Sequence, residues 1–288
     1  MTEESSTRST FLKCYRFTLD TAVLIMLGVF LWGFGTGVYD TFFYFDDTIP
    51  DEVYALDETI YAFMETARTD FLNLYENPEP LDTYSFSVSN STEVLEDTEN
   101  YERNKESVVY INTFDGFGYY IGAGTILTED GVILTSNHVI EGSEQVVVTT
   151  LDGTNYEVVQ VLGYDQARDI VFLKIDAQGL RPMPLGDSEA VRVGEKTLVI
   201  GHPENLLYSA SLGNLSAVWS YHSQGVGNML QITNPISMGN SGGAVLNQYG
   251  ALIGVPSWSL EYEDNSVQVQ NINFATPIHE ALNVLRSK

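Results

Sequence analysis

Cysteine is almost missing from this chain: Cys14 is its single instance, so no intramolecular disulfide and no multi-cysteine metal site can form. The fold must stand on an apolar core. Cations are scarce too, with 13 Lys plus Arg against 39 Asp plus Glu and a formal net charge of -26. Such a surface repels phosphate backbones and anionic headgroups, so nucleic acid is excluded as a partner. Many of the acids lie between Asp40 and Glu106, as in an acidic stalk, and the same composition would suit a high-salt habitat. No His/Glu spacing of a zinc site occurs, and no metal or cofactor is expected. What the chain does have is length and apolar content: 288 residues, 44% hydrophobic, enough for a sizeable core.

One long uncharged run stands out, TAVLIMLGVFLWGFGTGV from Thr21 to Val38, between Asp20 and Asp40. About 18 residues at 1.5 Å each span a bilayer core of roughly 30 Å. A transmembrane helix over 21–39 is expected; the alternative, a cleaved signal peptide, would have a shorter apolar region and a small-x-small cleavage site. Arg8, Lys13 and Arg16 precede the run, whereas Arg68 is the lone cation in the stretch that follows it. The positive-inside rule then puts residues 1–20 in the cytoplasm and everything after the span outside. Cys14 lies on the cytoplasmic flank, open to acylation in some hosts or simply inert.

Residues 40–104 form an acidic juxtamembrane region. Val53, Leu56, Ile60, Phe63, Ala67, Phe71 and Leu74 recur at helical spacing until Asn77-Pro78, predicting one amphipathic helix of about seven turns. It could self-associate as a stalk or pack on its own protein. Glu79 to Lys105 is polar, contains the sequon Asn90-Ser91-Thr92, and reads as a linker. From Ser107 the texture changes to short β-rich runs divided by turns such as Asp152-Gly153 and Tyr249-Gly250, the pattern of an all-β sandwich or barrels. A final helical spacing occupies 277–286.

The string Gly239-Asn240-Ser241-Gly242-Gly243 carries the chemistry. Glycines on both sides of a serine permit the sharp turn that exposes its hydroxyl and aims the amides of Gly239 and Ser241 at one point, an oxyanion hole. A serine hydroxyl needs a base and a carboxylate to orient that base. His138, in TSNHVI, and Asp169, opening DIVFLKI, supply both in the chain order His, Asp, Ser. His202, His222 and His279 lack that context and read as structural or solvent-facing, and Asp165 reads as part of the turn before Asp169.

GAGTILTEDGVILTSNHVIEG, DQARDIVFLKID, LGDSEAVRVGE with VIGHP, GNSGGAVLNQYGALIG and NFATPIHEALNVL, in that order, resemble the successive signatures of the HtrA (Deg) family of trypsin-like serine proteases. The resemblance covers 105–288. It implies two perpendicular six-stranded β-barrels, the first over about 105–187 and the second over about 188–275, with His138 as general base, Asp169 as its orienting carboxylate and Ser241 as nucleophile. By the same likeness the strand holding Val255, Ser257, Trp258 and Ser259 walls the primary pocket and pairs with substrate backbone. Pro256 has no amide to donate there. Thr233 to Met238, including Ile236, brings no acid to that pocket, so small or medium apolar side chains are expected in it. Asn240 stands where digestive relatives carry an Asp that pairs with a newly cut N-terminus, so activation by cleavage is not expected. Thr233 departs from an Asp common in the family, and no PDZ module follows the last helix of this sequence. The expectation is a membrane-anchored endopeptidase acting on unfolded or exposed polypeptide segments outside the cytoplasmic membrane, with trimers common among relatives and the N-terminal region as a route to self-association. A catalytically silent binding or scaffold protein on the same fold is the alternative.

Overall fold

The structure, a computed structural model, describes residues 51–67, 69–79, 84–221, 226–261 and 268–286. The uncharged run at 21–38, the flanking charges, Cys14 and His222 lie outside the described residues. Among the described residues no helix is long and apolar enough to cross a membrane.

Twelve strands close into two antiparallel barrels of six. The first is built from β1 (Val108–Phe114), β2 (Tyr119–Ile126), β3 (Val132–Thr135), β4 (Gln145–Thr149), β5 (Asn155–Asp165) and β6 (Ile170–Ile175). Its closed order is β1-β2-β3-β6-β5-β4. The second uses β7 (Lys196–Gly201), β8 (Ser209–Tyr221), β9 (Gly227–Ile232), β10 (Ala244–Asn247), β11 (Leu252–Glu261) and β12 (Gln268–Pro277), in the order β10-β11-β12-β9-β8-β7. Closure leaves few unpaired edges, and β-branched Val, Ile and Thr fill both faces of the pleat.

The two-residue repeat of β1 shows how the faces are divided. Val109 and Ile111 point into the first barrel with Ile133, Val148, Val171 and Leu173. Val108, one residue out of phase, joins Leu134, Phe172, Leu198 and Ile200 in the layer between the barrels. Tyr110 turns outward, yet is buried with Val147 under Ile60 and Met64. Val199, Leu230, Ile232, Val245 and Ala275 fill the second barrel.

Ile60 and Met64 belong to α1 (Asp51–Thr66), and both are fully buried. The apolar face of α1 therefore covers its own protein. The expected seven-turn helix is not continuous: it stops at Thr66 and resumes as α2 (Phe71–Glu76). Two local demands outweigh the apolar repeat. The Thr69 amide and hydroxyl both bond Glu157 on β5, the amide at 2.9 Å, and Asp70 caps α2 by accepting from the Asn73 amide at 3.2 Å. The turn delivers Phe71 into the first-barrel core, a burial worth about 1.5–3 kcal/mol.

The polar segment that follows also runs along the barrels. Val88 bridges Leu185, the Leu95 amide bonds the Gln248 carbonyl at 2.9 Å, and α3 (Asp97–Asn104) buries Asn100 and Asn104. Asn100 donates to the Asn247 carbonyl at 2.9 Å. Asn100 reads as linker in sequence because its partner is a main-chain carbonyl far along the chain, while Asn104 donates back to Asn100 at 2.9 Å. One short helix, α4 (Asn137–Ile140), follows β3, and α5 (Ile278–Arg286) ends the described chain with Ile278, Ala281 and Leu282 in the inter-barrel layer.

Candidate active site

His138 leaves the first barrel on α4, immediately after β3. The preceding Ser136 hydroxyl does not cap this helix but donates to the Pro256 carbonyl at 3.0 Å, tying the turn to the second barrel. Asp169 sits in the turn before β6 with φ of 55°, the left-handed region that Asp and Asn tolerate best among residues with a side chain. Its amide donates to the Gln166 carbonyl at 3.2 Å and its carbonyl accepts from the Asn137 amide at 3.2 Å. Held in this way, the carboxylate accepts the His138 amide at 2.8 Å on Oδ1 and meets His138 Nδ1 at 2.7 Å on Oδ2. An imidazole anchored through Nδ1 presents Nε2 to the cleft, the orientation a general base requires.

Ser241 approaches from the second barrel. Ser237 to Asn240 form a turn closed by the Asn240 amide on the Ser237 carbonyl at 3.1 Å, with Gly239 at φ of 94° in its third position. A type II turn demands a positive φ there. Any side chain at 239 would also collide, since a Cβ would stand 2.1 Å from the His202 carbonyl oxygen. Gly242, at φ of 82°, is as constrained, its missing Cβ falling 2.2 Å from the Ala123 carbonyl oxygen. The nucleophile is locked across the barrels by the Ala123 amide on the Ser241 carbonyl at 2.8 Å and the Gly242 amide on the Pro256 carbonyl at 3.0 Å. Among the described residues, neither the Gly239 amide nor the Ser241 amide finds a protein acceptor. Two such donors beside an exposed hydroxyl form the arrangement that stabilises a developing oxyanion.

His138, Gly239 and Ser241 line one cleft. No hydrogen bond joins Ser241 to His138 among the described residues; such contacts are commonly long without substrate and tighten when it binds.

The other sequence candidates separate cleanly. Asp165 is taken by its own turn, accepting the Arg168 amide at 3.0 Å and pairing Arg168 Nη1 at 2.6 Å. Arg168 Nε reaches the nearly buried Glu280 of α5 at 3.3 Å. Burial works against the guanidinium charge, but Asp165 and Glu280 more than offset it and raise its pKa. His202 is fully buried, accepting the Tyr208 amide on Nδ1 at 3.0 Å, and burial pushes its pKa down to about 4. His279 Nδ1 meets Ser188 Oγ at 2.8 Å, away from the cleft.

The residues expected to wall the pocket occupy several settings. Val255 is fully buried in the inter-barrel core. Ile236 packs against the second-barrel core. The Ser257 hydroxyl donates to Asp169 Oδ2 at 2.5 Å, so it steadies the carboxylate, and the residue lines a second hollow with His138 and Asp169. Trp258 and Ser259 lie on β11, but their side chains are outside the described residues. Beyond Pro256, whose carbonyl is taken by the Gly242 amide and the Ser136 hydroxyl, β11 has ladder pairing with β12 alone, the kind of edge to which an extended peptide can add. Sequence reasoning missed Ser257 as a partner of Asp169 and Tyr75 as a support for α4, where its hydroxyl bonds Asn137 Oδ1 at 2.9 Å. The signal for Ser257 was a polar residue directly after the apolar run Leu252 to Pro256.

Two closed six-stranded antiparallel barrels with a histidine–aspartate pair on one and a glycine-bracketed serine on the other define a chymotrypsin-type serine peptidase fold. Residues 122–255 match the trypsin-like peptidase domain. Serine endoprotease DegS of Haemophilus influenzae is 37% identical over 169 residues, covering 58% of this chain and 49% of that protein. DegS of Escherichia coli K12 is 33% identical over 168 residues, covering 57% and 47%. Among solved structures, the HtrA-type protease AlgW with tripeptide superposes with a TM-score of 0.61 at 31% identity, covering 67% of this chain and 63% of that one. A serine endoprotease from Yersinia pestis gives 0.58 at 30% identity, covering 67% and 66%. Over these lengths the chain is similar to trypsin-like peptidases of HtrA type. It spans about half the length of the curated relatives it matches.

Proposed function

We propose that this protein is a membrane-anchored serine endopeptidase that cuts unfolded or exposed segments of extracytoplasmic polypeptides. The observation that carries the reading is the convergence on one cleft of the Asp169-anchored imidazole, the Ser241 hydroxyl and the two amides without protein acceptors at Gly239 and Ser241. A substrate segment adds to the β11 edge and presents its carbonyl to Ser241. His138 takes the hydroxyl proton as the oxygen attacks, Asp169 stabilises the resulting imidazolium, and the two amides receive the oxyanion. Collapse of the tetrahedral species transfers the proton from His138 to the leaving amine and leaves an acyl-enzyme, which water cleaves by the reverse sequence.

The anchor is read from the uncharged run at 21–38, and the orientation from the cations before it. The catalytic domain then stands outside the cytoplasmic membrane, with its N-terminus inside. Trimer formation is part of this reading, and cross-linking of the full chain in membranes tests it.

Labelling with a fluorophosphonate and digestion of casein test the catalytic claim. The full chain should label on Ser241 and degrade casein. Ser241→Ala should abolish labelling and lower turnover by about 10⁶-fold, since loss of the nucleophile removes nearly all triad catalysis. Casein degradation unchanged in that variant would exclude the mechanism, and a folded wild-type chain that neither labels nor cuts would favour a binding protein on a protease fold.

A further inference from the structure

A cleft of about 480 Å³ opens beside Ser241, lined in part by Gly239, Ser241 and His138 and by no β11 residue. A peptide paired to the β11 edge must cross Ser241 and leave through this cleft, so the residues after the scissile bond occupy it. Tyr119 and Tyr120 of β2 line it together with Tyr61 of α1. Tyr61 and Tyr119 meet edge to face, their ring centroids 4.7 Å apart at 63°. Helix α1, fixed by the buried Ile60 and Met64, thus supplies part of the active-site wall.

The same lining carries Asp115 and Glu141 and, among the described residues, neither Lys nor Arg. Asp115 Oδ1 accepts the amides of Phe117 and Gly118, each at 2.9 Å, which pins its carboxylate at the β1–β2 turn. Those amides, the first of them Phe117, hold its pKa below the usual carboxylate range. Glu141 is held by Gln166 Nε2 at 2.7 Å. A cation gains from a tyrosine face and from a carboxylate at once, whereas an acidic side chain meets only repulsion here.

We propose that this cleft is a specificity subsite for a basic side chain, Arg above Lys, on the leaving-group side of the scissile bond, and that Tyr61 of α1 completes it. The inference rests on the endopeptidase reading above. Arg is favoured because its planar guanidinium can stack on a ring while its fork faces a carboxylate.

The test uses the full chain in detergent micelles and quenched-fluorescent peptides that share one acyl side and carry Arg, Lys, Leu or Glu just after the scissile bond. The expected kcat/KM for Arg exceeds that for Leu by about tenfold, the scale of one partly desolvated cation–aromatic contact, with Glu lowest. Asp115→Asn, which keeps the acceptor for the two turn amides, and Tyr61→Leu should each reduce the Arg-to-Leu ratio by about threefold or more. If Tyr61→Leu fails to fold, Asp115→Asn and Glu141→Gln decide. A flat profile, or one favouring Leu or Glu, from a chain whose Ser241 labels with fluorophosphonate would overturn the subsite and leave the endopeptidase reading standing. An Arg preference untouched by all folded variants would likewise remove it from this cleft. Absence of both labelling and cleavage would overturn the two readings together.

Discussion

Replacing Gly239 by alanine isolates the oxyanion donors from the rest of the site. The new Cβ would stand 2.1 Å from the His202 carbonyl oxygen and 2.9 Å from its carbon, both main-chain atoms with no rotamer to adjust. His202 cannot simply retreat, because its amide bonds the Gly239 carbonyl at 3.2 Å and its ring is wedged between Tyr110 and Tyr208. A φ of 94° is also poorly accessible to alanine, at a cost of roughly 1–2 kcal/mol. The least costly relief is rotation of the Met238–Gly239 peptide, which swings the Gly239 amide away from the nucleophile. Losing one such donor lowers kcat by about 10²–10³, or about 2.7–4 kcal/mol of transition-state stabilisation. The strain is small beside a total stability of about 5–15 kcal/mol, so the variant should fold. The assay compares kcat, fluorophosphonate labelling rate and thermal melting of the two chains. A folded Gly239→Ala protein within about threefold of the wild-type kcat would refute the claim that this amide receives the oxyanion.

Ser257→Ala removes a 2.5 Å hydrogen bond to Asp169 Oδ2 while leaving the His138 amide and ring in place. Bonds to charged acceptors contribute about 1.5–3 kcal/mol, so kcat should fall about tenfold with KM little changed; an unchanged kcat would mean that Asp169 needs no second side-chain donor. His202 stays neutral in the fold because burial pushes its pKa to about 4, against roughly 6.5 when unfolded. The sign follows: its contribution is fully present above about pH 6.5 and declines as pH falls toward 4, by up to about 3 kcal/mol. Urea denaturation at pH 7 and pH 4 should show a smaller acid-induced loss for His202→Gln than for wild type, and equal losses would contradict the assignment.

Parts of this architecture are legible locally. The strand-rich texture after Ser107 matches twelve short strands, because alternating β-branched residues and glycine turns impose pairing with almost any neighbour. Glycines flanking Ser241 are readable for the same reason: the positive φ and the missing Cβ are properties of the residue itself. The helix after Asp51 was visible as a repeat of apolar residues, but its break near Ala67 was not, since the cause is Glu157 on a strand far along the chain. The family likeness marked Val255 and Ser257 as pocket-wall residues, but not that Val255 packs in the inter-barrel core or that Ser257 bonds Asp169, contacts made by strands far apart in the chain.

Sequence by itself therefore determined what short-range sterics dictate: the β texture, the nucleophile turn, the order of His138, Asp169 and Ser241, and the apolar run that reads as an anchor. Tertiary structure alone decided which partners those groups meet. It set Asp169 between His138 and Ser257, folded the acidic segment onto the barrels, and brought Tyr61 of α1 into the lining of the cleft. The physical reason is that torsional and steric preferences act within a few residues, while hydrogen bonds and buried apolar contacts are chosen only when distant strands close.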